Sequence, residues 1–67
     1  MTAEEMFENL GYEKEEKYHI TYTSKSDNQR TFGFYKESPN QVFASDIILN
    51  SEELKACLKQ IEELKGE

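Results

Sequence analysis

Tyr18-His19-Ile20-Thr21-Tyr22-Thr23 and, eight residues on, Thr31-Phe32-Gly33-Phe34-Tyr35 decide how this chain folds. Large apolar residues alternate with small or polar ones in both runs, and a period of two is the pattern of a half-buried strand. β-branched and aromatic residues dominate, as suits a pleated surface. Between the runs, Ser24-Lys25-Ser26-Asp27-Asn28 is turn chemistry. Pairing Tyr22 with Phe32 and Ile20 with Phe34 sets every large residue on one side and leaves a loop of about three to five residues. A slip of one residue would carry the core residues to the wrong face. Tyr18, Ile20, Tyr22, Phe32 and Phe34 are therefore the expected core of a hairpin. His19, Thr21, Thr23, Thr31, Gly33 and Tyr35 are its expected open face, with His19 opposite Tyr35.

Outward from the hairpin, the period becomes helical at both ends. Thr2 and Glu5 stand in capping-box spacing, Met1 and Met6 occupy the staple positions, and Ala3, Met6, Phe7 and Leu10 share one face. Gly11 suits the left-handed residue that ends a helix. At the other end Asn50 caps, Glu53 follows three residues on, and Leu49 and Leu54 form a staple. Leu54, Cys57, Leu58, Ile61 and Leu64 make a stripe of about 120°, wide enough to face a core. Glu13-Lys14-Glu15-Glu16 reads as a charged link, and Ser38-Pro39-Asn40 as a turn. Gln41-Val42-Phe43-Ala44 is the expected third strand, with either Val42 and Ala44 or Phe43 facing inward. The expected fold is a single α+β domain over 1–67, in the order α-β-β-β-α. Its two helices pack on one face of a three-stranded antiparallel sheet.

Bulk properties bound the function. A chain of 67 residues with 36% hydrophobic and 33% charged residues can form one small core and little more. A lone cysteine, Cys57, makes no internal disulfide, and small secreted domains usually carry several. The opening Met1-Thr2-Ala3-Glu4-Glu5 lacks the basic and apolar regions of a signal peptide. No run approaches the roughly 18 apolar residues of a membrane span. The expectation is a cytoplasmic protein with no membrane partner. Net charge is −6, made of −5 over residues 1–16, +2 over 17–45 and −3 over 46–67. A chain acidic at both ends repels phosphate backbones.

Chemistry-bearing groups are sparse. His19 is placed on the open sheet face and Cys57 on the inner stripe of the last helix, so neither is within reach of the other as base and nucleophile. Cys57 reads as a small core residue. His and Cys do not recur at ligand spacing, and three glycines build no phosphate loop. The pairs Glu4-Glu5, Glu52-Glu53 and Glu62-Glu63 read as helix-surface groups. No enzyme, no cofactor and no metal is the expectation. The open face, with His19, Thr21, Tyr35 and Phe43, is the candidate interface for an unidentified protein partner or a second copy.

Three resemblances bear on this reading. Arg30-Thr31-Phe32-Gly33-Phe34-Tyr35-Lys36 resembles the aromatic motif of RNA-recognition domains, matching at Arg30, Phe32, Gly33 and Phe34 but not at Thr31, Tyr35 or Glu37. Core packing of the two phenylalanines accounts for the same residues. The element order resembles the double-stranded-RNA-binding domain, whose last helix opens with phosphate-gripping lysines. Here that position reads Ser51-Glu52-Glu53, with the charge reversed, so no nucleic-acid partner is expected. Finally, Thr2-Ala3-Glu4-Glu5-Met6-Phe7-Glu8-Asn9-Leu10-Gly11-Tyr12 and Ser51-Glu52-Glu53-Leu54-Lys55-Ala56, running on to Gln60-Ile61-Glu62-Glu63-Leu64, resemble small uncharacterised proteins of phages, prophages and mobile elements of low-GC Gram-positive bacteria. That resemblance implies an accessory protein acting by binding host or phage protein, and transfers no site residue. The alternative is an acidic mimic of nucleic acid that blocks a host nucleic-acid-binding enzyme, resting on the clustered charge of both helices.

Overall fold

Helix α1, Ala3–Asn9, is seven residues long and too short to stand alone. The computed structural model, which describes residues 1–27, 29–46 and 48–66, shows what holds it. Thr2 and Glu5 form the expected capping box, Thr2 Oγ1 accepting from the Glu5 amide at 3.2 Å and Glu5 Oε1 from the Thr2 amide at 2.8 Å. Gly11 turns the chain out of the helix with φ +90°, where a Cβ would be strained. The ring of Phe7 then enters the core, stacked on Tyr22 with centroids 4.0 Å apart.

Four strands follow: β1 (Tyr12–Glu16), β2 (His19–Ser24), β3 (Thr31–Tyr35) and β4 (Ser38–Ala44). They form an antiparallel sheet in the order β1-β2-β3-β4, and α2 (Ser51–Gly66) closes the chain. The fold is α+β with two helices, but it has four strands rather than the expected three. The missed strand is β1, hidden because Glu13, Lys14, Glu15 and Glu16 read as a charged link. They ladder against Thr23, Tyr22, Thr21 and Ile20 instead. Only Tyr12, at its head, is buried. An edge strand needs just one anchored end and one paired side, so its sequence need not alternate.

The central hairpin has the expected register, Ile20 opposite Phe34, Tyr22 opposite Phe32 and His19 opposite Tyr35. Phe32 and Phe34 are buried with Ile20, Tyr22, Phe7, Tyr12, Ala56 and Cys57 in one core. Tyr18 is not among them. It sits with Lys17 in the turn between β1 and β2 and is 90% exposed. β2 begins one residue later than the alternation suggests because β1 pairs back onto it, and that pairing requires a turn there. Between β2 and β3, the expected turn residue Asn28 lies outside the described residues.

The expected Ser38-Pro39-Asn40 turn belongs to β4; Lys36 and Glu37 make the turn instead. A proline is tolerated in an edge strand, where a missing N–H need break no ladder bond. A register shift at Phe34 and Tyr35 adjusts the pairing there. Beyond it Val42 lies opposite Phe34, Gly33 opposite Phe43 and Phe32 opposite Ala44. Val42 and Ala44 therefore share the helix side with Phe32 and Phe34, and Phe43 takes the open side. α1 packs mainly on β1 and on α2, and α2 also packs on β4. Among the described residues no helix is long and apolar enough to cross a membrane.

Candidate interaction surface

The open side of the sheet is set by the strand register. Glu15, Thr21, Gly33 and Phe43 form one cross-strand row, and His19 and Tyr35 form the next. All four interface candidates, His19, Thr21, Tyr35 and Phe43, thus stand on one face. His19 meets Tyr35 edge to face with centroids 4.9 Å apart, an arrangement the ring quadrupoles favour. Phe43 lies over Gly33: a Cβ built there would stand 3.6 Å from the Phe43 Cβ and 3.9 Å from Cδ2. These are ordinary van der Waals distances, so Phe43 stands directly beside Gly33 on the open face. Phe43 nevertheless remains 51% exposed.

Tyr18 adds a ring that alternation alone assigns to the core. It lines an open hollow of about 240 Å³ with His19, Thr21, Glu15 and Lys17, and Lys17 pairs with Glu15 at 3.4 Å. The signal that could have placed Tyr18 outside is the charged run before it, once that run is seen as a strand needing a turn.

A second apolar surface lies on α2. The expected inward stripe holds for Cys57, and Ile61 and Leu64 pack partly against the core. Leu54 and Leu58 do not; they are 50% and 54% exposed. Glu53, Ala56 and Gln60 are buried in their place. The helix is rotated about its axis from the orientation its leucines suggest, and two polar anchors account for it. Tyr22 donates from its hydroxyl to Gln60 Oε1 at 2.6 Å inside the core. Glu53, read from sequence as a surface acid, accepts from Tyr12 at 2.8 Å and from Arg30 at 2.6 and 3.0 Å.

Arg30 joins four parts of the chain. Nε also donates to the Tyr12 hydroxyl at 2.9 Å, Nη1 to Asp46 at 2.7 Å and Nη2 to the Ile48 carbonyl at 2.8 Å. It further lies 5.8 Å from the Phe32 ring centroid. These bonds occupy the fork that an RNA-binding arginine would offer to a base or phosphate. The Arg30 guanidinium holds the Glu53 carboxyl down at about 2, against burial, with help from Tyr12 and the Asn50 amide. Burial, with the Glu53 carboxylate adding to it, pushes the Tyr12 phenol up to about 12. The Asn50 cap expected for α2 is present as well, Glu53 donating its amide to Asn50 Oδ1 at 2.7 Å and accepting from the Asn50 amide at 3.1 Å. Among the described residues every buried side-chain polar atom has a partner.

Two of the acids that the sequence assigns to the helix surface are therefore used internally: Glu53 here, and Glu63, which caps α1 by accepting from the Ala3 amide at 2.8 Å. Cys57 is buried, and burial pushes its thiol up to about 11. It lies on the helix side of the sheet and His19 on the open side. Comparison of the chain with known protein families, curated proteins and solved structures finds no match.

Proposed function

We propose that this chain is a small non-catalytic protein-interaction module whose open sheet face receives a protein partner. The observation that carries the reading is the gathering of Tyr18, His19, Tyr35 and Phe43 on one exposed side of a four-stranded sheet. Exposed aromatics on a rigid sheet lose little freedom on binding and are enriched at protein interfaces. The buried protonated thiol of Cys57, away from the one histidine, supports a non-catalytic role. The likeness of the opening residues to small proteins of phages and mobile elements makes a host or phage protein the proposed partner, met in the cytoplasm.

The test compares proteins captured from the native host by the tagged chain and by a Tyr35→Glu, Phe43→Glu double variant with unchanged circular dichroism. A partner enriched by the first and reduced at least about tenfold by the second supports the reading, since an unpaired charge in a desolvated contact is costly. Capture indifferent to these substitutions rejects it. Capture that instead collapses with salt and with Glu52→Lys, Glu62→Lys would favour the acidic mimic of nucleic acid.

A further inference from the structure

The sheet has two edges of opposite character. β1 carries Glu13, Lys14, Glu15 and Glu16 along its length, and charge along an edge is a device against strand addition. β4, Ser38-Pro39-Asn40-Gln41-Val42-Phe43-Ala44, has no charge in a chain that is one-third charged; Pro39 and the register shift blunt its first half, and residues 41–44 are the part open to pairing. Val42 on its helix side and Phe43 on its open side are 42% and 51% exposed. Above this edge α2 turns outward the leucines that the core rejected. Glu63 of α2 reaches α1, and Leu54, Leu58 and Ile61 lie round the helix from it, on the flank away from α1. A hollow of about 440 Å³, lined by Leu58, Ile61, Glu62, Lys65 and Gly66, continues the surface.

We propose that β4 and the outer flank of α2 form the interface of a twofold dimer with a second copy of this chain. In it residues 41–44 of the two β4 strands, clear of Pro39, pair antiparallel to join the sheets into one of eight strands, and the two α2 helices pack above the seam. A twofold axis normal to the sheet makes the surface self-complementary, as an isologous dimer requires.

Three observations select a second copy as the occupant. The first is spacing. α1 packs on β1 and α2 on β4; with strands about 4.8 Å apart and helices about 10 Å apart, that arrangement sets α2 about 2 Å inside the line of β4. Adding a strand one spacing beyond β4 then leaves the two α2 axes about 9 Å apart, which is itself a helix-packing distance. The second is charge. Two copies of net charge −6 repel, and an uncharged strip lets their backbones meet with no like charges opposed. About Leu58 as centre, antiparallel helices bring Lys55 towards the partner's Glu62, and each helix N-terminus towards the other's C-terminus. The third is size. A standard interface takes about 800 Å² per partner. That is about a sixth of the total surface of 4728 Å², a share that an edge strand and one helix flank of a chain of 67 residues can supply.

This inference concerns a different surface from the open face and stands even if that face binds nothing. Sedimentation equilibrium on the purified chain tests it without any partner. The expected result is a mass of twice 7.9 kDa for the wild type. Leu58→Glu is expected to weaken self-association at least about a hundredfold, an unpaired charge being buried twice over. Val42→Lys, on the strand, is expected to act in the same direction. Both sites are half exposed in one copy, so circular dichroism and the melting temperature should hold; if Leu58→Glu unfolds, Val42→Lys decides. A wild type that stays monomeric at millimolar concentration overturns the proposal. So does a dimer that survives both variants, or one that is lost only on Tyr35→Glu, which would place the contact on the open sheet face.

Discussion

Helices α1 and α2 begin with the same device and end in different relations to the core. Each opens with a reciprocal cap three residues long, Thr2 with Glu5 and Asn50 with Glu53. α1 then buries Ala3 and Phe7, two of the four apolar residues its spacing nominates, and packs Met6 and Leu10 partly against the core. α2 buries Glu53 and Gln60 and leaves Leu54 and Leu58 half in water. The difference shows that a hydrophobic stripe does not by itself fix a helix's rotation. On α1 the polar ties, Glu63 at the Ala3 amide and Lys14 at Glu4, lie outside the core and agree with the apolar face, and Phe7 touches four other rings. On α2 two directional polar anchors compete with the apolar stripe, and together they prevail. Hydrogen bonds to a charged group are among the stronger ones, while a leucine moved from burial to half exposure gives up only part of its roughly 1.5–3 kcal/mol.

Removing the hub of the apolar side should cost most. Phe7→Ala leaves a void among Tyr12, Tyr22, Phe32 and Phe34, and a loss of about 4 kcal/mol is expected in urea unfolding. That is a large part of what a domain of this size has, so the variant is best studied at low temperature.

Next in size is the anchor of α2. Glu53→Ala leaves Arg30 and Tyr12 without their acceptor and removes half the Asn50 cap, for an expected loss of about 3 kcal/mol. Its pH signature is distinctive. The folded Glu53 carboxyl titrates at about 2 against an ordinary 4.5, so its stabilisation is full above about 4.5 and lost as pH falls towards about 2. Glu53→Gln should flatten that limb of the stability curve. On the alkaline side Cys57 titrates at about 11 against an ordinary 9.0, so burial of the neutral thiol stabilises fully below 9.0 and less as pH rises towards 11. Cys57→Ala should remove that part of the alkaline slope.

A smaller effect separates the second anchor from simple packing. Gln60→Leu and Tyr22→Phe should each cost about 1–2 kcal/mol, since each strands a buried polar atom. The double variant should cost less than the sum, and a thermal-melt double-mutant cycle reads the coupling. Additive losses would mean that this bond does not hold the rotation of α2. Smallest of all, Leu54→Ala should change the stability of the isolated monomer by about 0.5 kcal/mol or less, as exposed positions do. A loss of core size there would put Leu54 inside, and the contrast between the helices would disappear.

The central hairpin, both helix caps, the turn at Gly11 and the burial of Cys57 were all legible in the residues, because each is set by neighbours a few positions away. β1 was not, since only Tyr12 of its five residues is buried and the remainder present charges whose strand state depends on β2 alongside. The start of β4 was masked by Pro39, a turn former that an edge tolerates. For the open face, the sequence placed His19, Thr21 and Tyr35 but left Phe43 undecided, and it put Tyr18 on the other side.

From the amino-acid order alone came the periodicities, and with them which residues form the hairpin, how its arms are registered and where each helix starts. These are short-range matters of backbone preference and alternation. Tertiary structure alone decided the fourth strand, the outward side of Phe43 and the rotation of α2. Each of those depends on a partner distant in the chain: β2 for β1, Gly33 for Phe43, and Arg30, Tyr12 and Tyr22 for α2. A hydrogen-bond direction across the core has no trace in local spacing, and here it determines which apolar residues are left facing out.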